Sequence, residues 1–176
     1  DYYVQAIPFR LEFSIKSRDR EDNLLSEVKG EFFIKNKNSF YVEYPGEEIL
    51  YDGKWLWTYN KHTDQIVVEE FDPTSSLNLI YDVINGDLES YQINKTQKTD
   101  QFQEIFLEPK GDSNFFKKFK IVVPQDTTLI DHLQYVDFQS NQILINFLQI
   151  GDSLLCDSSF YDIKNMEEKE LIDLRP

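Results

Sequence analysis

Asp52-Gly53-Lys54-Trp55-Leu56-Trp57-Thr58-Tyr59-Asn60 holds both tryptophans of the chain and reads as a turn feeding a strand. Aspartate bonds nearby backbone and glycine reaches positive φ without penalty, so Asp52-Gly53 is turn chemistry. Strand side chains alternate, which puts Trp55, Trp57 and Tyr59 on one face and Leu56, Thr58 and Asn60 on the other. A strand this rich in large aromatics either anchors a core or walls an apolar cavity, and alternation by itself serves both equally.

Composition frames the choice. The 176 residues fit one domain, 1–176, and a chain of this length buries about 70% of its unfolded surface without staples. Apolar residues are 40% and aromatics 15%, led by 14 Phe and 10 Tyr, while Gly and Pro number only 6 each, which favours long strands over a disordered chain. Against 18 Lys+Arg stand 32 Asp+Glu, and a net charge of −14 repels phosphate backbones and anionic bilayers. Nucleic acid is therefore not expected as a partner, and a basic docking protein is the alternative to a plainly solvated acidic surface. The single cysteine, Cys156, excludes an internal disulfide and a cysteine-based metal cluster, and reads as a small buried hydrophobe. No apolar run approaches the roughly 20 residues of a membrane helix. With no signal peptide, the chain that opens at Asp1 reads as a mature or trimmed form.

Outward from the tryptophans the pattern is a meander. Phe9, Leu11, Phe13 and Ile15 alternate with polar residues, and the charged segment from Arg18 to Asn23 reads as a hairpin loop. Leu24 to Lys35 returns with Gly30, Phe32 and Ile34 on one face and Glu31, Phe33 and Lys35 on the other. Asn36-Lys37-Asn38 turns the chain into Ser39–Tyr44, where Phe40, Val42 and Tyr44 align, and Pro45-Gly46 breaks that strand. Glu47–Tyr51 precedes the tryptophan strand and Gln65–Glu70 follows it. Asp72-Pro73-Thr74-Ser75 then reads as a helix start, Leu77, Ile80, Tyr81 and Ile84 follow at i, i+3, i+4 and i+7, and Asn85-Gly86 ends the helix. A second meander covers Tyr91–Thr96, Gln101–Glu108, Phe116–Val123, Leu129–Phe138 and Ile143–Ile150. In its last strand Ile143, Ile145 and Phe147 lie on one face and Leu144, Leu148 and Ile150 on the other, so something is expected to cover the outside of that part. The tail from Leu154 carries Phe160, Tyr161 and Ile163 and then an acidic end.

Chemistry is sparse. His62 falls in a polar turn and His132 on a strand, a spacing that suggests no zinc site, and no nucleophile elbow, phosphate loop or dinucleotide fingerprint is present. Asn94-Lys95-Thr96 matches a glycosylation sequon, a weak signal. No catalytic residue, metal or cofactor is expected. Surplus aromatics and one amphipathic helix suggest a curled sheet with a lid, in which each buried methylene of a ligand contributes about 0.8 kcal/mol. A closed core remains equally consistent with the pattern.

Three runs taken together decide more than any one of them: Gly30-Glu31-Phe32-Phe33-Ile34-Lys35, Asn38-Ser39-Phe40, and Asp52 through Asn60. In that order and spacing the chain resembles the LolA family of periplasmic outer-membrane lipoprotein carriers. Gln65 with its strand, the helix at Leu77–Ile84, Phe106-Leu107-Glu108-Pro109-Lys110 and Asp157-Ser158-Ser159-Phe160 extend the likeness over about residues 8 to 163. The resemblance implies a mainly β fold with a few helices, an incomplete, unclosed antiparallel β-barrel with a helical lid over a hydrophobic cavity. By the same resemblance the protein is not an enzyme. It implies a monomeric periplasmic carrier that takes acylated lipoproteins from an inner-membrane ABC exporter and delivers them to an outer-membrane acceptor.

Under this resemblance the cavity is assigned to Phe13, Phe32, Ile34, Phe40, Val42, Trp57, Leu77, Ile80, Tyr81 and Ile84. Phe40 matches the motif aromatic associated with the exporter interface and the cavity rim, which implies that Phe40→Glu leaves folding largely intact yet blocks loading, and Trp57 matches the aromatic of the Asp-Gly-Lys-x-Leu-Trp signature. The family often carries Arg-Pro between the residues matching Lys35 and Asn38, the arginine bonding the lid; here Asn36 and Lys37 stand there. Asp1–Ile7 matches only the end of an N-terminal helix. The departure at Asn36 supports a second reading, a same-fold lipid- or lipoprotein-sensing module that regulates a partner.

Overall fold

Alternating apolar residues become strands along nearly the whole chain. In order these are β1 (Phe9–Arg18), β2 (Leu24–Asn36), β3 (Ser39–Tyr44), β4 (Glu47–Tyr51), β5 (Trp55–Asn60), β6 (Gln65–Glu70), the helix α1 (Ser76–Asn85), β7 (Tyr91–Lys98), β8 (Phe102–Pro109), β9 (Phe116–Pro124), β10 (His132–Asp137), β11 (Gln142–Gly151) and β12 (Glu170–Asp173). The computed structural model describes residues 9–36, 38–72, 76–111, 116–127, 129–151, 163 and 168–176. The expected N-terminal helix end at Asp1–Ile7, the helix start at 73–75, Lys37, Cys156 and the 157–160 motif lie outside them.

The twelve strands form one sheet in the order β12-β6-β5-β4-β3-β2-β1-β11-β10-β9-β8-β7. Its two ends are different strands, β12 and β7, so the sheet is not closed. Sequential neighbours pair antiparallel, as hairpins require; β12 departs from this by pairing parallel to β6, Glu170 to Asp173 against Gln65 to Val68. That strand is unexpected from sequence, because four largely exposed residues in an acidic tail carry too little alternation to register. The expected Leu129–Phe138 strand is shorter, since the Leu129 amide bonds the Thr127 hydroxyl at one end and Ser140, at φ 69°, turns the chain just past the other.

By its contacts the chain divides into two compact units. One, the helix unit, takes residues 13–28 and 76–148 of the described chain; the other, the tryptophan unit, takes 9–12, 29–72 and the described part of 149–176.

In the helix unit, Leu107 and Phe119 are paired, as are Ile121 and Leu133, and Leu133 and Ile145. One apolar face results, and Leu107, Leu133 and Ile145 on it are fully buried. The α1 side chains Leu79, Ile80, Val83 and Ile84 supply the matching stripe. Two polar contacts fix the helix to that face, Ser76 Oγ with Tyr135 Oη at 2.7 Å and the Tyr91 hydroxyl donating to Asp82 Oδ2 at 3.0 Å. Tyr91 and Phe116 both stand edge-on to Phe119, with ring centroids 5.0 and 5.5 Å away. The helix ends where the sequence places its stop. Gly86 at φ 69° lets its amide bond Val83 O and the Asp87 amide bond Asp82 O, a Schellman closure that a side chain at this φ would strain.

Burial raises the Asp82 carboxyl from 3.8 to about 6, against the hydrogen bonds from Tyr91 and Asn78 and with help from the Asp87 charge. A carboxyl whose folded pKa lies above its unfolded value favours the folded state fully below pH 3.8, and that contribution is lost as pH rises through about 6. Asp82→Asn, whose amide oxygen can still accept from Tyr91, is expected to flatten the stability profile across that window. Urea midpoints of both proteins between those pH values check it, and parallel profiles would refute the assignment.

Candidate functional site

The tryptophan unit sorts its aromatics onto two faces, and the register shows which. Ile34 pairs with Phe40, Phe40 with Tyr51, and Tyr51 with Leu56; beside this row runs a second, Phe32, Val42, Ile49 and Thr58. Directly opposed residues in an antiparallel ladder share a face, so these side chains form one continuous apolar surface. Phe32, Ile34, Phe40 and Val42 are each 0% exposed. Phe40 is the centre of an aromatic cluster, with centroids at 4.9 Å to Phe32, 5.4 Å to Tyr51 and 5.6 Å to Phe71. Tyr51 and Phe71 lie 4.6 Å apart and are half-buried, extending the surface toward solvent. Phe40 is thus a core ring of this face, where the sequence reading puts it at a rim.

The opposite face carries the row Phe33, Tyr41, Leu50, Trp57 and Val68. Phe33, Tyr41, Leu50, Ile66 and Ile163 form a buried cluster there, with Trp57 and Tyr59 packed against it. Trp57 therefore stands on the other side of the sheet from Phe40, although both are assigned to one cavity from sequence. Burial pushes the Tyr41 hydroxyl far above its ordinary pKa, and the adjacent Glu48 and Glu43 carboxylates push the same way. Over the edge of this face lies the C-terminal segment. Arg175 places its guanidinium carbon 5.7 Å from the Trp55 ring centre and 5.6 Å from that of Trp57, and it bonds Asp173 through Nε at 2.8 Å. The Leu174 amide bonds Val68 O at 2.9 Å, continuing the β12 ladder.

The Asp-Gly-Lys-Trp turn proves structural. Asp52 Oδ1 accepts from the amides of Lys54 and Trp55, each at 2.9 Å, and its Oδ2 accepts from the Trp57 indole at 3.1 Å. Gly53 has φ 95°, and a Cβ there would sit 2.9 Å from the Asn38 carbonyl oxygen. One aspartate thus builds the turn and orients a tryptophan, and the glycine lets Asn38 approach. Removal of residues 168–176 should therefore uncover Trp55 and Trp57 and free the β6 edge. A red-shifted tryptophan emission and a stability loss on the order of 2 kcal/mol are expected; unchanged emission would count against the cover.

Of the other sequence-assigned residues, Phe13 is buried on β1 within the helix unit. Ile80 and Ile84 are buried on α1, and Leu77 and Tyr81 are half-buried there. Asn36 is exposed, and its Oδ1 accepts from the Asn38 amide at 2.8 Å, so the side chain closes its own turn. Sequence reasoning missed Tyr51 and Phe71. Tyr51 carried no sequence signal, because its place beside Phe40 is set by the β3–β4 register, and the signal for Phe71 was an aromatic ring directly after β6. Among the described residues no group of three His, Cys, Asp or Glu side chains is arranged to hold a metal ion. His132 Nδ1 lies 2.7 Å from Asp131 Oδ2, and His62 packs its ring against Gly46. No described helix is long and apolar enough to cross a membrane.

The family model for the outer membrane lipoprotein carrier protein LolA matches residues 6–162. The chain belongs to the LolA family. A Klebsiella pneumoniae outer-membrane lipoprotein carrier protein is 31% identical over 125 residues, 69% of this chain and 60% of that protein. A Sodalis glossinidius protein of the same description is 30% identical over 129 residues, 71% of this chain and 62% of its own length. This LolA-family chain thus matches a little under two thirds of the length of those relatives. A solved structure from Thermus thermophilus aligns with TM-score 0.59 at 10% identity, covering 98% of this chain and 95% of its own, and supports the fold alone.

Proposed function

We propose that this LolA-family chain acts as a single carrier domain that binds the acyl chains of lipoproteins. It would work in the periplasm, shuttling cargo from an inner-membrane ABC exporter to the outer membrane and its acceptor. The carrying observation is an apolar face built on buried Phe32, Ile34, Phe40 and Val42 in a chain of this family, whose half-buried margin, Tyr51 and Phe71, is the part an acyl chain would meet first. These side chains are apolar apart from the Tyr51 hydroxyl, which suits binding and release of a hydrocarbon chain. Half-buried Leu77 and Tyr81 on α1 offer further apolar area in the helix unit, over a core that holds Phe13, Ile80 and Ile84. Leu24 and Val28 there are 51% and 37% exposed, unpaired apolar surface that an acyl chain could cover. With about 0.8 kcal/mol per buried methylene, an acyl chain is held firmly enough to leave water. A partner with preferential affinity for the unloaded state can then withdraw it. Trp57 is left out of this surface, because it faces the other side of its sheet.

Native mass spectrometry of the protein co-expressed with a triacylated lipoprotein tests this. A one-to-one complex that dissociates on delipidation of the cargo is expected, and equal binding of acylated and unacylated cargo would overturn it.

One observation favours a second reading, a lipid- or lipoprotein-sensing module that regulates a partner protein. Asn36 stands where the family often has its lid-bonding arginine, and its side-chain oxygen is engaged by Asn38. A neutral amide used in its own turn supplies no charged fork to a lid. Depletion that leaves outer-membrane lipoprotein sorting intact would favour the sensor over the carrier.

A further inference from the structure

We propose that the sheet face of the helix unit opposite α1 is a second binding surface, one that takes an acidic protein segment bearing an apolar anchor. Leu107, Phe119, Leu133 and Tyr135 point toward the helix, so by alternation Phe106, Lys120, Gln134 and Val136 point away from it. There Phe106, Lys118, Lys120, Gln134 and Val136 line a hollow of about 220 Å³. Val136 at its border is 48% exposed, and Leu148 on the neighbouring β11 is 54% exposed. A large apolar side chain seated there would remove this surface from water.

Charge selects the occupant. Residues 91–124 carry six lysines and four carboxylates, +2 in a chain whose net charge is −14. Lys95 and Lys120 hold their ammonium groups 5.9 and 6.0 Å from the Phe106 ring centre, and Lys118 is an exposed rim residue. Lys120 is already paired with Glu104 at 2.9 Å, which leaves Lys95 and Lys118 as the cations to meet an incoming carboxylate. At physiological salt, fields decay over about 8 Å, so this island acts on a segment laid directly upon it. An extended anionic bilayer would also meet the field of the acidic remainder and be repelled, which favours a protein segment over a membrane.

The probe is the acetylated, amidated peptide Glu-Glu-Leu-Phe-Glu-Glu, titrated into the isotopically labelled full chain, with Lys-Lys-Leu-Phe-Lys-Lys as control. Shifts confined to residues around Phe106, Lys118, Gln134 and Val136 are expected. Affinity should fall at least about tenfold between low and moderate salt. The double variant Lys95→Glu/Lys118→Glu should lose about tenfold or more with an unchanged thermal midpoint, and Val136→Asp should lose the apolar contribution likewise. Equal binding of the lysine peptide, shifts elsewhere on the chain, or binding of vesicles of phosphatidylglycerol and phosphatidylethanolamine without binding of the peptide would each overturn the proposal. Retention of acylated cargo is expected to be the same in these variants, so failure here leaves the carrier function standing.

Discussion

Phe40→Ala is expected to lower the unfolding free energy by about 3–5 kcal/mol, the range for removing a fully buried aromatic ring. The ring is 0% exposed and touches Phe32, Tyr51 and Phe71, so truncation leaves a cavity whose walls are themselves rigid aromatics that collapse poorly. Phe40→Leu, which keeps most of the volume, should cost well under half as much. Phe40→Glu goes further. It buries a carboxylate with Ile34 and Tyr51 as cross-strand neighbours, and it should abolish the folded tryptophan unit rather than merely block a rim. Urea denaturation followed by tryptophan emission gives the comparison. A Phe40→Glu protein with a native-like midpoint would restore the rim reading that the sequence suggests, and would remove Phe40 from the apolar face.

Ile80→Asp should be the most damaging change on α1. Ile80 is 0% exposed in the stripe it shares with Leu79, Val83 and Ile84, so the new carboxylate would be desolvated among apolar side chains. A helix of ten residues does not hold itself together in water, and this one depends on its apolar face and on the Ser76–Tyr135 and Asp82–Tyr91 contacts. The expected result is loss of hydrogen-exchange protection along α1 and loss of acylated cargo in the native mass spectrum. Ile80→Ala, at about 2–5 kcal/mol, should retain some of both. Protection of α1 unchanged in Ile80→Asp would mean that the helix rests on something other than this stripe.

Much of this was legible beforehand because it is local. The alternation in Phe9–Ile15, Ser39–Tyr44 and Trp55–Asn60 appears as β1, β3 and β5, and the stop at Asn85-Gly86 appears as a glycine at positive φ. The split of Trp57 from Leu56 also follows from alternation alone. What alternation could not do was relate the faces of different strands. Assigning Trp57 and Phe40 to one cavity needs the register of β3, β4 and β5, and the pairs Phe40–Tyr51 and Leu50–Trp57 put them on opposite sides. A one-residue slip in either hairpin would have put them together.

The acidic tail is the sharper lesson. Glu170–Asp173 carries neither strong β-propensity nor a turn that would aim it at a neighbour, yet it closes one edge of the sheet and lays Arg175 over both tryptophans. Its partner strand lies about a hundred residues back, so the pairing exists only once the meander is folded and β6 presents a free edge. By itself the sequence determined the strands other than β12, the helix with its stop and the family, because periodicity, turn chemistry and ordered motifs are written within a few residues of one another. Only the tertiary structure decided which aromatics share a surface, that Phe40 is core, and that Arg175 lies over both tryptophans. Those facts depend on register and on distant partners, which no local pattern encodes.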